Sequence, residues 1–296
     1  MTQPLFRFAP SPNGLLHLGH AYSALLNANL AKRFGGRLIL RIEDIDITRC
    51  GPEYDAAIIR DLAWLGLRFD EPIRRQSQHF DDYRLLLRRL REAGLVYPCF
   101  ATRKEIAQAV AAREAETGSP APRDPDGAPL YPRRCAGLDP AEAQARIEAG
   151  EPFALRIDMA KALAEAARIA PEGLAYARFD RDGVITRVPA DPARWGDAVI
   201  MRKEIPTSYH LAVVHDDAAQ GVTHVVRGRD LEAATDLHVL LQCLLGLPTP
   251  LYHHHDLIRD EAGEKLAKSR ISTPIAQLRE EGADPAALRA MLGFEA

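Results

Sequence analysis

The sequence predicts an α/β fold built on a parallel sheet, and two observations support that prediction. The first is a strand, a loop, a helix and a second strand at the start of the chain, which is the pattern of a βαβ unit. The second is the return of strand-like runs at 209–214 and 222–227. A chain of 296 residues, 47% of them hydrophobic, can bury a substantial core.

The first unit opens with a strand at Phe6–Ala9. Two prolines and an Asn-Gly pair at 10–14 then permit a tight loop. Apolar spacing predicts a helix over 18–34, ended by a glycine pair, and a second strand over Arg37–Ile42. This order places the loop at the carboxyl end of the first strand.

Further elements follow the same signals along the chain. Helices are expected at 53–65 and 80–93, a strand at 153–159, a helix at 231–245, mostly loop over 248–270 and a last helix at 284–293. Residues 113–140 are rich in Pro, Gly, Ala and charge, which favours loop. We expect two halves of one α/β domain at 1–96 and 191–245, an inserted module at 97–190 and a C-terminal segment at 246–296.

Charge and cysteine content exclude several classes of protein. The net charge is −3, so any contact with nucleic acid needs a local basic surface, and residues 74–104 offer one. The alternative for that stretch is a solvated helix face. No apolar run is long enough to span a membrane and the N-terminus does not resemble a signal peptide, so a cytoplasmic location without a membrane partner is expected. The four cysteines are too scattered for a disulfide framework.

The loop after the first strand is the first candidate for chemistry. A helix N-terminus at this position offers free N–H groups and a partial positive charge to a phosphate. Gly19 permits close approach of a ligand, and His17 and His20, three positions apart, can donate hydrogen bonds to phosphate oxygens. The alternative is that the two histidines only cap the helix or decorate the surface.

A second candidate lies near the other end of the chain. Lys265 and Lys268 stand three apart in the polar stretch Lys-Leu-Ala-Lys-Ser, where they can neutralise charge on a leaving pyrophosphate. Taken alone, such a pair is common on protein surfaces.

Three charged residues at predicted strand ends suit a small anionic amino acid. Glu43 could bind an ammonium group, whereas Arg7 or Arg227 could bind a carboxylate in bidentate fashion. Tyr209 could donate a hydrogen bond to the same ligand, or it could simply pack in the core.

Residues 7–20, Arg-Phe-Ala-Pro-Ser-Pro-Asn-Gly-Leu-Leu-His-Leu-Gly-His, resemble the HIGH region of class I aminoacyl-tRNA synthetases, and specifically the glutamyl/glutaminyl group. Residues 265–269 are similar to the KMSKS loop of that class, with Leu266 and Ala267 departing from it. The stretches 41–46, 61–67, 209–217 and 227–231 also resemble this group, and the agreement is weakest over about 101–190.

The resemblance implies a Rossmann-type catalytic domain with an inserted α+β module and a short helical C-terminal segment. It also implies ATP with Mg²⁺ as cofactors and L-glutamate as the activated substrate. By position, the implied glutamate site is Arg7, Phe8, Ala9, Pro10, Ser11, Glu43, Tyr209 and Arg227. The implied ATP site is His17, Gly19, His20 and Lys268, and the implied catalytic residues are His17, His20, Lys265 and Lys268.

Some members of the family hold zinc in the insertion, with a Cys-x-Cys and a Tyr-x-x-x-Cys pattern. This chain has Cys99, Tyr131 and Cys135, but Ala101 stands where the second cysteine is expected. Structural zinc usually has four Cys or His ligands. We therefore expect no zinc in this degenerate site.

Little sequence follows Ser269, whereas an ordinary glutamyl-tRNA synthetase continues into a helical domain that reads the anticodon. Short relatives without that domain transfer glutamate, activated without tRNA, to the queuosine base of tRNA(Asp). The resemblance therefore implies a monomer acting on tRNA(Asp) that bears queuosine. Two alternatives stay open: a truncated glutamyl-tRNA synthetase that charges a tRNA 3′ end, and a non-catalytic binding protein of the same fold.

Overall fold

The computed structural model describes residues 3–256 and 273–294. In these ranges the strands are β1 (Leu5–Phe8), β2 (Arg37–Ile42), β3 (Asp70–Arg75), β4 (Val96–Cys99), β5 (Ala154–Ile157), β6 (Ala175–Phe179), β7 (Ile185–Pro189), β8 (Val199–Met201), β9 (His224–Gly228) and β10 (Leu251–His255). The helices are α1 (Leu18–Arg33), α2 (Pro52–Trp64), α3 (Phe80–Glu92), α4 (Arg103–Thr117), α5 (Pro140–Glu148), α6 (Met159–Ile169), α7 (Tyr209–Ala219), α8 (Ala234–Leu245), α9 (Ile275–Glu280) and α10 (Pro285–Met291).

The large sheet has seven strands in the order β3-β2-β1-β9-β10-β6-β7. All neighbouring pairs are parallel except β6 and β7, which form an antiparallel edge. The predicted α/β fold with a parallel sheet is thus confirmed. From β1 the chain builds outward through β2 and β3, and it later returns to place β9 on the other side of β1.

A smaller antiparallel sheet has the order β4-β5-β8. The helices α4 and α5 and the connecting stretch 118–139 lie between β4 and β5 in the chain. Two strands within 97–190, β6 and β7, belong to the large sheet and not to this smaller one. The domain boundaries drawn from the sequence remain predictions.

Local signals explain most of the helix ends. The predicted helices at 18–34, 53–65 and 80–93 are confirmed as α1, α2 and α3, and that at 231–245 is confirmed as α8. Gly246 adopts a left-handed conformation at φ 65° and ends α8. Asp284 caps α10 by accepting from the N–H groups of Ala286 and Ala287, as its Asp-Pro pair predicts.

The predicted strand at Tyr209–Val214 is wrong, because this segment is the start of α7. The Ser208 side chain accepts a hydrogen bond from the Leu211 N–H and caps the helix. The apolar residues 211–214 are consecutive, and each is at most 2% exposed. A helix buried on several faces shows no 3.6-residue periodicity, so a short Val-containing run resembles a strand.

The predicted loop over 248–270 is also wrong in its first part, where β10 lies between β9 and β6. Three consecutive histidines in β10 make the segment polar, yet His254 and His255 are buried. The helices α4, α5 and α6 within 97–190 and the helix α9 were not predicted either, and α4 extends into the predicted loop over 113–140. No helix in the described residues is long and apolar enough to cross a membrane.

Apolar clusters fix the strand ends that carry the candidate residues. One cluster joins β1 and β2 to α1, α2, α9 and α10. Another joins α3, α6, α7 and α8 with the smaller sheet. An ion pair of 2.5 Å between Arg279 and the buried Asp61 ties α9 to α2. Leu16, which is 1% exposed, anchors the loop after β1 in the first of these clusters.

Candidate active site

A cavity of about 460 Å³ opens at the carboxyl ends of β1 and β9. Between these two neighbouring strands the order of strands in the sheet reverses direction. Ligands of open α/β sheets bind at such a switch point. The cavity brings together every described residue that the sequence singled out for glutamate or ATP: Arg7, Phe8, Ala9, Pro10, Ser11, His17, Gly19, His20, Glu43, Tyr209 and Arg227. It is also lined by residues that the sequence did not indicate: Ser23, Val226, Gly228, Asp230, Leu231 and His255.

His17 and His20 cap the N-terminus of α1 reciprocally. The Nδ1 atom of His17 accepts from the Gly19 N–H at 3.1 Å, and the Nδ1 atom of His20 accepts from the His17 N–H at 3.2 Å. Burial lowers the pKa of His17, and burial together with the nearby His17 lowers the pKa of His20 to about 4.

The caps determine where each ring carries its proton. A neutral imidazole has one N–H, and Nδ1 is an acceptor in both rings, so Nε2 is the donor in both. The capping alternative considered for these histidines is therefore correct, and it is compatible with a second role. Each ring keeps an Nε2–H donor available beside the helix N-terminus.

Two arginines, one of them the cavity-lining Arg7, converge on the buried Asp217. Arg7 lies 3.1 Å and Arg41 lies 2.8 Å from its Oδ1. Burial opposes ionisation of Asp217, but Arg7 and Arg41 outweigh it and hold the pKa of Asp217 below its usual value. Arg41 also contacts Oε1 of Glu43 at 3.2 Å. Burial raises the pKa of the Glu43 carboxyl, although Arg41 and Arg7 oppose the rise.

Arg227 has a different environment. Its guanidinium donates to the Tyr209 hydroxyl at 3.3 Å and to Thr235 Oγ1 at 2.8 Å. It also lies 3.3 Å from His238 Nδ1 and 3.4 Å from His254 Nε2. Among the described residues its contacts are all with neutral groups, whereas Arg7 and Arg41 are paired with carboxylates. Arg227 is 5% exposed and lines the cavity, so it is a buried cation whose direct contacts, in the part of the chain that the structure describes, include no carboxylate.

Burial and Arg227 together keep the surrounding histidines neutral. Burial first, and then the Arg227 charge, lowers the pKa of His254 to about 2 and that of His238 well below its usual value. These histidines, with Thr235 and Asp217, support the site. No sequence motif indicated His238 or Thr235, because they lie on the buried helix α8.

The basic stretch 74–104 is largely engaged with protein groups. Arg74 pairs with Asp216, Arg75 with Asp55 and Arg84 with Asp81. Arg89 donates to the Leu245 carbonyl and Arg91 to Gln144. The remaining basic side chains in this stretch are Arg88, Arg103 and Lys104. The contact of this stretch with tRNA remains a prediction.

The degenerate zinc site forms a compact cluster. Cys99 and Cys135 are buried with Tyr131, whose hydroxyl accepts from the Cys99 thiol at 3.2 Å and from the Cys135 N–H at 3.1 Å. Ala101 packs against the cluster. Among the residues the structure describes, no group of three or more His, Cys, Asp or Glu side chains is placed to hold a metal ion. The two lysines of the second motif, Lys265 and Lys268, lie outside the described residues.

Comparison with known proteins defines the class. A family model described as tRNA synthetases class I (E and Q), catalytic domain, matches residues 5–294. The chain belongs to this family. Its seven-stranded sheet is the sheet of the corresponding Rossmann-like catalytic domain.

Three named proteins each match at least 97% of this chain. The chain is 46% identical to a glutamyl-Q tRNA(Asp) synthetase of Rhodobacter capsulatus over 97% of this chain and 99% of that protein. It is 36% identical to a glutamate–tRNA ligase of Aquifex aeolicus, over 97% of this chain but 56% of that protein. A crystal structure of a glutamate tRNA ligase from Elizabethkingia meningosepticum in complex with its amino acid superposes with a TM-score of 0.77 at 29% identity. That match covers 98% of this chain and 60% of the ligase, so the chain spans about three fifths of its length.

Proposed function

We propose that this protein activates L-glutamate with ATP, without needing tRNA, and transfers the glutamyl group to the queuosine base of tRNA(Asp). The proposal is supported by the 46% identical Rhodobacter relative, which is named a glutamyl-Q tRNA(Asp) synthetase. The observation that carries the glutamate part is Arg227 in the wall of the cavity, which contacts only neutral groups among the described residues.

Glutamate fits the charges of the cavity. Its side-chain carboxylate supplies the countercharge that Arg227 lacks, in bidentate contact. The Tyr209 hydroxyl accepts from Arg227 and keeps its own proton to donate to the same carboxylate. Glu43, whose Oε1 is engaged by Arg41, offers its other oxygen to the ammonium group. Arg7 to Ser11 form the wall at the end of β1 and complete the glutamate site.

The α-carboxylate then points to the N-terminus of α1. One of its oxygens attacks the α-phosphorus of ATP, the bond from that phosphorus to the bridging oxygen breaks, and pyrophosphate leaves. The Nε2–H groups of His17 and His20 donate to the phosphate oxygens, and Gly19 permits their close approach. Lys265 and Lys268 are proposed to neutralise the leaving pyrophosphate.

We propose that Mg²⁺ binds together with ATP. The ion is usually held by phosphate oxygens, water and one or two carboxylates. Asp230 lines the cavity and would be the protein ligand, since Glu43 is assigned to the ammonium group. The bound ion would neutralise negative charge on the phosphates.

In the second step, a hydroxyl oxygen of the queuosine diol attacks the carbonyl carbon of the glutamyl-adenylate, and AMP leaves as the ester forms. This proposal differs from its nearest alternative, a truncated glutamyl-tRNA synthetase, in the group that accepts glutamate. The Rhodobacter relative named a glutamyl-Q tRNA(Asp) synthetase is 46% identical to this chain, whereas the Aquifex glutamate–tRNA ligase is 36% identical.

Two measurements test the proposal. Glutamate-dependent ATP–pyrophosphate exchange without tRNA should be observed, and the Lys268→Ala variant should lose most of it while keeping the same thermal unfolding midpoint. Glutamate transfer should require queuosine when tRNA(Asp) with and without the modified base are compared. Equal charging of both tRNAs would support the truncated ligase, and glutamate binding without exchange would support a non-catalytic protein.

A further inference from the structure

A second cavity of about 310 Å³ lies on the other side of Tyr209. Tyr209 is the residue that lines both this cavity and the active-site cavity. The second cavity is formed by the start of α7, by β8 and by the loop 124–131 that connects α4 to α5. We call it the loop pocket. A ligand held there would lie next to whatever occupies the active site.

The walls of the loop pocket are suited to a flat, partly polar ring. Trp195 and Tyr131, which are 6% and 8% exposed, are embedded in the wall, and Leu130 and Val199 supply apolar contacts. The guanidinium of Arg156 stacks 3.8 Å from the centre of the Tyr131 ring. Bases in proteins are commonly held by aromatic side chains and arginine planes.

Asp197 belongs to the wall but is not available to a ligand. It accepts hydrogen bonds from the Tyr97 hydroxyl at 2.6 Å, from Arg133 and from the Met159 N–H. Its buried carboxylate is therefore satisfied by the protein. Its role is to hold β8 and the loop in place around the pocket.

His210 provides a directed donor to the loop pocket. Arg227 has only N–H donors, so His238 Nδ1 must accept from it, and the neutral His238 ring carries its proton on Nε2. That Nε2 lies 3.2 Å from His210 Nδ1, which must then accept. Burial lowers the pKa of His210 to about 4, so this neutral ring carries its own proton on Nε2. Because His210 lines the loop pocket, its Nε2–H is the donor offered to a ligand there.

The loop pocket is lined by charges of both signs. Asp124 and Asp126 lie on the loop, and Arg156 and Arg202 lie on the other walls. Burial, followed by repulsion from Asp124 and Asp230, raises the pKa of Asp126. The carboxylates of the loop favour a cationic group on that side of the pocket.

We propose that the loop pocket is the subsite for the acceptor base, a purine-like ring bearing a cationic amine, which it holds beside the adenylate. Its volume is at the lower end of the range for small-molecule sites, enough for a base without its backbone. The secondary amine that links the queuosine ring to its diol is protonated at neutral pH and meets the carboxylates of Asp124 and Asp126. The diol then extends past Tyr209 to the active site. This inference rests on the proposed function.

The test separates activation from transfer. Val199→Trp fills the loop pocket from β8, and Val184→Trp places the same bulk on an exposed turn, where Val184 is 59% exposed. We expect Val199→Trp to keep tRNA-independent exchange within about twofold of wild type and to lose about tenfold or more of kcat/KM for queuosine-bearing tRNA(Asp). Val184→Trp should preserve both. Free queuine should compete with the tRNA in transfer by the wild type without inhibiting exchange.

Four outcomes overturn the inference. Normal transfer by Val199→Trp excludes the loop pocket as the acceptor subsite, and so does a loss of exchange equal to the loss of transfer. Inhibition of exchange by queuine would place the base in the active-site cavity. If the wild-type protein instead charges tRNA(Asp) without queuosine equally well, the proposed function itself fails and the inference fails with it.

Discussion

Arg227 and His238 lie 3.3 Å apart, and this contact fixes His238 as a neutral acceptor. A proton added to His238 would place a second positive charge against a buried guanidinium. The same holds for His254, which also contacts Arg227. The part of the site that is proposed to hold glutamate therefore depends on histidines that remain uncharged.

The first prediction is acid sensitivity of the fold. Histidine titrates near pH 6.5 in an unfolded chain, whereas the pKa values of His20, His210, His238 and His254 are lowered in the folded protein. The unfolded chain then binds more protons below that pH. Stability should be complete above about pH 6.5 and be lost as the pH falls toward about 4, by up to about 1.4 kcal/mol per pH unit for each histidine.

Urea unfolding at about pH 7.5 and about pH 5.5 measures this effect. His238→Gln keeps an acceptor for Arg227 but cannot titrate, so its stability should fall less steeply between the two pH values. An equal slope in the variant and the wild type would exclude His238 as a contributor.

The second prediction concerns Arg227. Arg227→Lys keeps a charge but loses the bidentate fork and most of the contacts to Thr235 and Tyr209. The loss of a buried charged contact costs about 2 kcal/mol or more, so KM for glutamate in exchange should rise about 30-fold or more. Arg187→Lys, on the exposed strand β7, is the matched control and should leave KM unchanged. An unchanged KM in Arg227→Lys would remove Arg227 from the glutamate site.

The third prediction separates capping from catalysis at His17. Asparagine is a good helix cap, so His17→Asn should keep the unfolding free energy of the wild type, whereas His17→Ala should lose about 1 kcal/mol. Both variants lack the Nε2–H donor and should lose about 10²–10³-fold in exchange kcat. Exchange at the wild-type rate in His17→Asn would show that His17 is only a cap.

The fourth prediction is a pH dependence of glutamate binding. Burial raises the pKa of Glu43, and only its ionised form can pair with an ammonium group. KM for glutamate should therefore rise as the pH is lowered from about 8 to about 5, where a free glutamate side chain would still be largely ionised. KM for ATP measured over the same range is the control. Parallel pH profiles for the two substrates would argue against Glu43 as the ammonium ligand.

The fifth prediction concerns zinc. The purified protein should carry less than about one tenth of a zinc ion per chain, and a chelator should not shift its thermal unfolding midpoint, because the Cys99, Tyr131 and Cys135 cluster offers only two thiolates. Metal analysis by mass spectrometry decides the matter. About one zinc per chain would contradict the prediction.

The sequence predicted the first βαβ unit closely, because there the period of the apolar residues, the glycines and the prolines all agree. It failed at Tyr209–Val214, where a buried helix has no polar face to reveal its period. It failed again at β10, where three consecutive histidines make the segment polar although His254 and His255 are buried.

The site residues also divide into those that the sequence predicted and those that it did not. Motif residues that face the cavity, such as His17 and Glu43, were found because their chemistry is tied to their position in the chain. The residues that orient them, such as Asp217 and His238, are supplied by distant helices, and their partners are defined only by the folded structure. Local patterns carry no information about contacts between residues so far apart.

The pairing of β1 with β9, where Phe6 lies opposite His224, has a consequence for the order of folding. The two walls of the cavity are separated by most of the chain, so a nascent or N-terminal fragment that ends before β9 contains the histidine loop but no binding site. Closing such a distant parallel contact is slow compared with forming helices. Glutamate affinity should thus arise late in folding, and bound glutamate should stabilise the entire domain against unfolding and not only the loops that touch it.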